Sequence, residues 1–287
     1  MTITASQPSW MIRTLRVRDR DHALSLLDRQ HELNIYLIAR IHEGGLGRLS
    51  QLVGVFRESS LVAVASLTSN VAAATDPSLS PSDVEQVANL IAAELIERCT
   101  QLRAIISPSP VVEALWNRLE DHFQAPTVVR LHQPVYVLTS MKPDVGLDEV
   151  RLSRFDDLDL LVPACAAMHH EEIGIDPLAR DAFGYQQRIR DLVKQNRSFV
   201  WIEQNEIVFK CEISAQTYDS AQLMGVWTAP RLRRRGYAIR GLSEVCGYIV
   251  SQGRSVTLFV NDFNHPARRL YEHLGFRQVG ENRALIW

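Results

Sequence analysis

The same succession of secondary-structure patterns runs twice along the 287 residues, which restricts the chain to folds that can be built in tandem. The second copy is the clearer. Residues 150–154 read as a short strand, and residues 155–168 as a helix with Leu158, Leu161, Ala164 and Cys165 on one stripe. Residues 181–195 read as a second helix. Residues 198–203 and 207–216 are strand-like and meet at Gln204-Asn205-Glu206, which predicts a hairpin. A strand at 222–228 leads through an arginine-rich loop into a helix at 238–251. That helix carries Ile239, Leu242, Val245, Cys246, Ile249 and Val250 on one face and stops at Gly253. A strand at 255–261, a short helix at 266–274 opened by Pro266, and strand-like sequence at 276–287 complete the copy.

The first half follows in parallel. A strand at 12–17 precedes helical sequence through Ile41, and segments 51–57 and 61–68 form a hairpin around Glu58-Ser59-Ser60. A helix at 82–99 is opened by Ser80-Pro81, with Asp83 completing a capping box and Val84, Val87, Ile91 and Leu95 as its buried stripe. A strand at 102–106, a helix at 110–123 with Leu115, Trp116 and Leu119 inward, and a strand at 128–138 follow. The pattern breaks over residues 139–146, where Pro143, Asp144 and Gly146 fall. Strands alternating with helices predict an α/β fold with a mixed sheet covered on both faces.

Composition removes several function classes. Lys plus Arg is 31 and Asp plus Glu is 33, a net charge of −2, so bulk charge does not suit the chain to coating nucleic acid or an acidic membrane. The four cysteines (Cys99, Cys165, Cys211, Cys246) form no C-x-x-C pair and read as reduced, mostly buried thiols. The polar N-terminal residues and the lack of an apolar run of membrane-helix length lead to the expectation of a soluble, cytoplasmic protein. No metal is expected, since His169-His170-Glu171-Glu172 lacks ligand spacing and adjacent helical residues point about 100° apart.

The chemistry concentrates where strand 222–228 ends. Thr228-Ala229-Pro230 is followed by Arg231, Arg233, Arg234 and Arg235, then by Gly236-Tyr237-Ala238 and the amphipathic helix. Helix N-termini present unpaired N–H groups and a positive dipole end, glycine admits close approach to the backbone, and arginines add forked donors. The combination reads as a pyrophosphate cradle; the plain alternative is a solvated basic turn. It is neither a P-loop nor a G-x-G-x-x-G turn.

These residues resemble a known family. Arg233-Arg234-Arg235-Gly236-Tyr237-Ala238 is similar to the acyl-CoA signature [Q/R]-x-x-G-x-[G/A] of the GNAT N-acetyltransferase superfamily. A second signature, N-x-x-A-x-x-L-Y-x-x-x-G-F, matches Asn264-His265-Pro266-Ala267-Arg268-Arg269-Leu270-Tyr271-Glu272-His273-Leu274-Gly275-Phe276. The resemblance covers residues 149–287. The first half shares the element order, but its corresponding loop, Asp76-Pro77-Ser78-Leu79-Ser80-Pro81, has neither Arg nor Gly. The resemblance implies tandem GNAT-like domains, each a mixed, mostly antiparallel sheet with helices on both faces. They would comprise a degenerate domain at 1–140, a linker at 141–148 and a GNAT domain at 149–287. The first domain is expected not to turn over substrate but to help shape the acceptor cleft.

The resemblance also implies a transfer mechanism. The backbone of Val226, Trp227 and Thr228 would pair with the pantetheine arm of acetyl-CoA, provided that this strand splays from strand 255–261. The N–H groups of Arg234, Arg235, Gly236, Tyr237 and Ala238, beside Arg233, would hold the pyrophosphate. Asn264 would touch the CoA arm, its plain role being a helix cap. Tyr271 would act as general acid toward the thiolate, its plain role being a core aromatic. For the base, strand parity puts Lys210, Glu212 and Ser214 on one face, so Glu212 either faces the active site or pairs with Lys210 at a wet edge. Glu171 and Glu172, between the two helices expected to form the acceptor wall, are either amine-binding or base carboxylates, or merely exposed. The expected activity is transfer of acetyl from acetyl-CoA to a primary amine of a small molecule or protein by direct attack. The alternative is a non-catalytic acyl-CoA-binding sensor or scaffold. A nucleic-acid partner and a membrane partner are not expected.

Overall fold

The computed structural model of the protein describes residues 8–141 and 147–287. The central part of the expected linker, residues 142–146, lies outside the described residues, as does most of the polar N-terminal stretch. The elements in chain order are β1 (Trp10–Thr14), α1 (Arg20–Leu27), α2 (His31–His42), β2 (Leu52–Arg57), β3 (Ser60–Ser66), β4 (Asn70–Thr75), α3 (Pro81–Arg98), β5 (Ala104–Pro108), α4 (Ser109–Leu119) and β6 (Val128–Leu138). They continue with β7 (Arg151–Leu152), α5 (Leu158–Ile173), α6 (Pro177–Lys194), β8 (Ser198–Glu203), β9 (Glu206–Gln216), β10 (Ser220–Thr228), α7 (Tyr237–Ser251), β11 (Ser255–Phe259), α8 (His265–His273) and β12 (Arg277–Ile286).

The chain forms two compact units, Met1–Val135 with Val279–Trp287, and Tyr136–Gln278. In the first, the strand order is β1-β2-β3-β4-β5-β12. Every neighbouring pair is antiparallel except β4 and β5, which run parallel. The last strand of the chain therefore closes this sheet, with Asn282 opposite Pro108 and Ile286 opposite Ala104. Helices α3 and α4 bury Val87, Ile91, Leu95, Val112 and Leu115 on one face. Helices α1 and α2 bury Leu26, Leu27, Ile38 and Ile41 on the other.

The second unit repeats the plan with β11-β10-β9-β8-β7, in which only β10 and β11 are parallel. Alternation along β9 sends Phe209, Cys211 and Ile213 to the face covered by Leu242, Val245, Cys246 and Ile249 of α7. On the other face, Leu161, Cys165, Ile189 and Val193 of α5 and α6 pack on Val200 and Ile207. Each buried aliphatic side chain contributes roughly 1.5–3 kcal/mol, so α5 to α7 are held by packing more than by propensity.

The duplication also shows in identities that strand and helix patterns did not reveal. Arg13 grips Asp19 with two N–H···O bonds of 2.7 and 2.8 Å, and the N–H of Arg16 donates to the same carboxylate at 2.9 Å. Arg151 grips Asp157 at 2.7 and 2.7 Å, and the N–H of Arg154 donates to it at 2.7 Å. The shared spacing Arg-x-x-Arg-x-x-Asp ties the first strand of each unit to the start of its helical layer. The paired, hydrogen-bonded arginine lowers the pKa of each carboxyl, that of Asp19 to about 2.

The structure adds β4, a strand not expected from Asn-Val-Ala-Ala-Ala-Thr, because alanine carries little strand preference. It also extends α6 upstream to Pro177, capped by the Asp176 side chain, with a kink at Asp181 where the backbone is non-helical.

Candidate active site

The site is built where β10 leaves its parallel neighbour. Pairing with β11 runs from Ser220 opposite Ser255 to Gln222 opposite Thr257 and stops there, while β10 continues to Thr228. On its other side β10 stays paired with β9, through a bulge between Met224 (opposite Glu212) and Trp227 (opposite Lys210). Two residues of β10 thus oppose one of β9. The first is Gly225 at φ +60, the left-handed conformation that a glycine bulge requires. The N–H of Ala229 donates to Val208 of β9 at 3.2 Å. By alternation the polar backbone groups of Thr228 then face the open edge, where its carbonyl accepts from Arg233 Nε at 3.1 Å. The splay that pairing with a pantetheine arm would require is therefore present, and it leaves Val226, Trp227 and Thr228 without a β11 partner.

Beyond a one-turn helix at Pro230–Leu232, the chain turns twice into the left-handed region, at Arg234 (φ +61) and at Gly236 (φ +88), before α7 begins. Gly236 is the N-cap of α7 and supplies no side-chain acceptor. Among the described residues, the backbone N–H groups of Arg234, Arg235, Gly236, Tyr237 and Ala238 have no backbone partner. No atom lies within 4 Å of the position a Cβ would take on Gly236. A concave run of unpaired N–H groups at a helix start, with open space above it, is an anion-binding shape.

The arginines divide into two groups. Arg231 pairs with Glu206, Arg233 with Glu171 at 2.6 Å, and Arg240 with Glu149 at 3.2 Å while its guanidinium lies 4.7 Å from the Trp201 ring centre. Arg234 and Arg235 are exposed and have no side-chain partner among the described residues. Glu171 also accepts from Trp227 Nε1 at 3.3 Å, and the arginine holds its pKa below the usual carboxylate range. The Tyr237 side chain is turned to Glu203, its hydroxyl donating at 2.9 Å, so only its N–H remains toward the loop.

Tyr271, on α8, is 6% exposed and lies against the rings of Tyr136 and Phe276, at 6.1 and 5.8 Å. Its hydroxyl makes no hydrogen bond among the described residues. Burial raises its pKa, and the nearby charge of Glu172 raises it further, so the phenol keeps its proton throughout the neutral range. Asn264 caps α8, its side-chain oxygen accepting from the N–H of Ala267 at 3.3 Å. Glu172 is exposed near the end of α5.

Glu212 does not sit at a wet edge. It does pair with Lys210, at 2.7 Å, but in the interior: Lys210 is 0% and Glu212 3% exposed. Cys165 of α5 donates to the same carboxylate oxygen at 3.2 Å, and Lys210 Nζ donates to the carbonyl of Gly225 at 3.2 Å. Burial alone would raise the pKa of Glu212, but Lys210 outweighs it and holds the group ionised. Parity showed which face these residues share, but not that α5 covers it.

The first unit has the same splay, since the pairing of β4 with β5 stops at Val71 opposite Ile105. There, however, the Ser107 hydroxyl accepts the N–H of Ala73 at 2.7 Å and donates to the carbonyl of Ile106. The following loop is closed on a carboxylate, with Asp76 accepting from the N–H and hydroxyl of Ser78 and from Arg29.

Comparison with known proteins identifies the fold. Residues 210–285 match the FR47-like protein family, and residues 50–161 match a domain of unknown function (DUF4081). A GCN5-related N-acetyltransferase from Sphaerobacter thermophilus superposes with a TM-score of 0.63 at 17% identity, covering 96% of this chain and 94% of that one. A GNAT-family acetyltransferase from Colwellia psychrerythraea gives 0.56 at 15%, covering 96% and 100%. A tandem GNAT protein of the clavulanic acid biosynthesis pathway gives 0.53 at 10%, covering 97% and 98%. No curated protein matches the sequence. The fold is that of the GNAT superfamily. Its second half carries the FR47-like match.

Proposed function

We propose that the second unit transfers an acetyl group from acetyl-CoA to a primary amine. The observation that carries this reading is the continuity of the open edge of β10 with the loop of unpaired N–H groups before α7. Pantetheine would lie along Val226, Trp227 and Thr228 as an extra strand. The pyrophosphate would sit on the N–H groups of Arg234, Arg235, Gly236, Tyr237 and Ala238, with the Arg234 and Arg235 side chains supplying charge. Asn264 keeps its amide nitrogen for the CoA arm while its oxygen caps α8.

The neutral amine attacks the thioester carbon directly, the C–S bond breaks, the thiolate takes the Tyr271 proton, and the new amide nitrogen gives up its second proton, which returns through solvent to the Tyr271 phenolate. The amine must first lose its own proton. Glu172 is the carboxylate assigned to this step: it is exposed and its charge acts on Tyr271. The two blocked features of the first unit, Ser107 on the Ala73 N–H and Asp76 in the loop, support a single acetyl-CoA site per chain.

CoA release measured over a panel of primary amines tests the activity. Tyr271→Phe is expected to lower kcat by about 10²–10⁴-fold. The KM for acetyl-CoA should stay within about twofold and the unfolding midpoint should not move, because the hydroxyl has no hydrogen bond to lose. Full activity of that variant would remove Tyr271 from the mechanism. The commitment of Glu212 to an internal ion pair favours a second reading, a binding module without turnover. Acetyl-CoA binding with no CoA release from any amine would establish it.

A further inference from the structure

The Lys210–Glu212 ion pair is buried so deeply that it carries a desolvation cost that apolar residues of the same size would not. Its surroundings indicate what it holds. Lys210 Nζ has two acceptors, Glu212 Oε1 at 2.7 Å and the carbonyl of Gly225 at 3.2 Å. A Cβ on Gly225 would lie 3.1 Å from Lys210 Nζ, 3.2 Å from Glu212 Oε2 and 3.2 Å from Met168 Sδ. The bulge therefore sits directly on the pair, and the glycine allows both its left-handed turn and this close approach. Cys165 donates to the same carboxylate oxygen, Oε1, that Lys210 holds.

We propose that Lys210, oriented by Glu212, is a positioning residue that pins the Gly225 carbonyl and thereby fixes the β10 bulge. The bulge sets the register in which Trp227 pairs with Lys210 and so turns the backbone groups of Val226 and Thr228 to the open edge. Without the pin, Gly225 is free to leave its left-handed conformation, the register of Trp227 on Lys210 is no longer enforced, and the edge offered to acetyl-CoA is lost. The link to acetyl-CoA rests on the function proposed above; the pinning of the bulge does not.

The test is the double replacement Lys210→Met with Glu212→Leu, which removes both charges while keeping side-chain length and apolar packing. Amide hydrogen exchange is read without ligand, and acetyl-CoA is then titrated. The N–H groups of Trp227 and Ala229 are expected to exchange at least tenfold faster relative to those of β8, and acetyl-CoA affinity to fall at least tenfold with the unfolding midpoint retained. Unchanged exchange at Trp227 and Ala229 in the folded variant would overturn the pin. If exchange rises but the unaltered protein does not bind acetyl-CoA, the pin stands and the proposed function falls. Should the double variant not fold, Glu212→Gln is the second arm. It keeps size and packing but removes the charge that orients Lys210 on the Gly225 carbonyl. The N–H groups of Trp227 and Ala229 should then exchange at least threefold faster relative to those of β8, and unchanged exchange in this folded variant would overturn the proposal.

Discussion

Replacing Asp19 by Asn isolates one of the two repeated arginine–aspartate clasps. Asp19 lies under Arg13, which donates two charge-assisted bonds to it, and a third donor comes from the backbone of Arg16. Its carboxyl titrates at about 2 in the folded chain against 3.8 for the ordinary group. At 1.36 kcal/mol per pKa unit, that difference stabilises the folded state by about 2 kcal/mol. Because the folded value is the lower one, this contribution is complete above about pH 4. It fades as pH falls from the unfolded value toward the folded one, and is gone below about pH 2. Urea unfolding of the native protein and Asp19→Asn at pH 7 and at pH 2 reads the effect, since all other titrating groups cancel between the two proteins. The variant is expected to be less stable by about 2 kcal/mol at pH 7 and by less than about 0.5 kcal/mol at pH 2. A difference independent of pH, or one below about 0.5 kcal/mol at pH 7, would refute the assignment of the clasp as a charge-dependent tie.

Two further outcomes follow from the same geometry. Glu171→Gln releases Arg233 and Trp227 from a half-exposed ion pair, so stability should change by less than about 0.5 kcal/mol, while acetyl-CoA affinity should rise by about threefold at low salt and converge at high salt. Unchanged affinity at low salt would show that Arg233 does not turn toward the phosphates. Cys165, Cys211 and Cys246 are buried, and burial pushes their thiols up, that of Cys165 to about 12. A thiol reagent on the native protein should therefore react quickly at Cys99 alone, and at all four cysteines only in denaturant.

How much the sequence discloses depends on whether a feature is local. The Arg-Gly loop and α7 are legible because a strand end, a left-handed glycine and an apolar stripe are all written within a few neighbouring residues. The division of β9 into a Phe209-Cys211-Ile213 face and a Lys210-Glu212 face is legible because strand parity is fixed. Parity is silent on what covers a face, so the same charges fitted both an active site and a wet edge until α5 was seen to bury them. The strand β4 is hidden because alanine marks no strand and it is formed by pairing with β3 and β5. The Gly225 bulge is hidden because an isolated glycine in a strand has several meanings. The Arg-x-x-Arg-x-x-Asp repeat was legible in principle: aligning the two copies by residue identity at their first strands would have found it.

The central claim is that the open edge of β10 and the loop ending at Gly236 form one acetyl-CoA site. Calorimetric titration of the full chain with acetyl-CoA, beside Gly236→Glu, tests it most directly. The substituted carboxylate would stand in the open space above the unpaired N–H groups, and the left-handed φ should cost about 1–2 kcal/mol of stability, checked by the unfolding midpoint. The account predicts binding at one site per chain by the native protein and none by the folded variant. No binding by the native protein, two sites per chain, or equal binding by Gly236→Glu would contradict it.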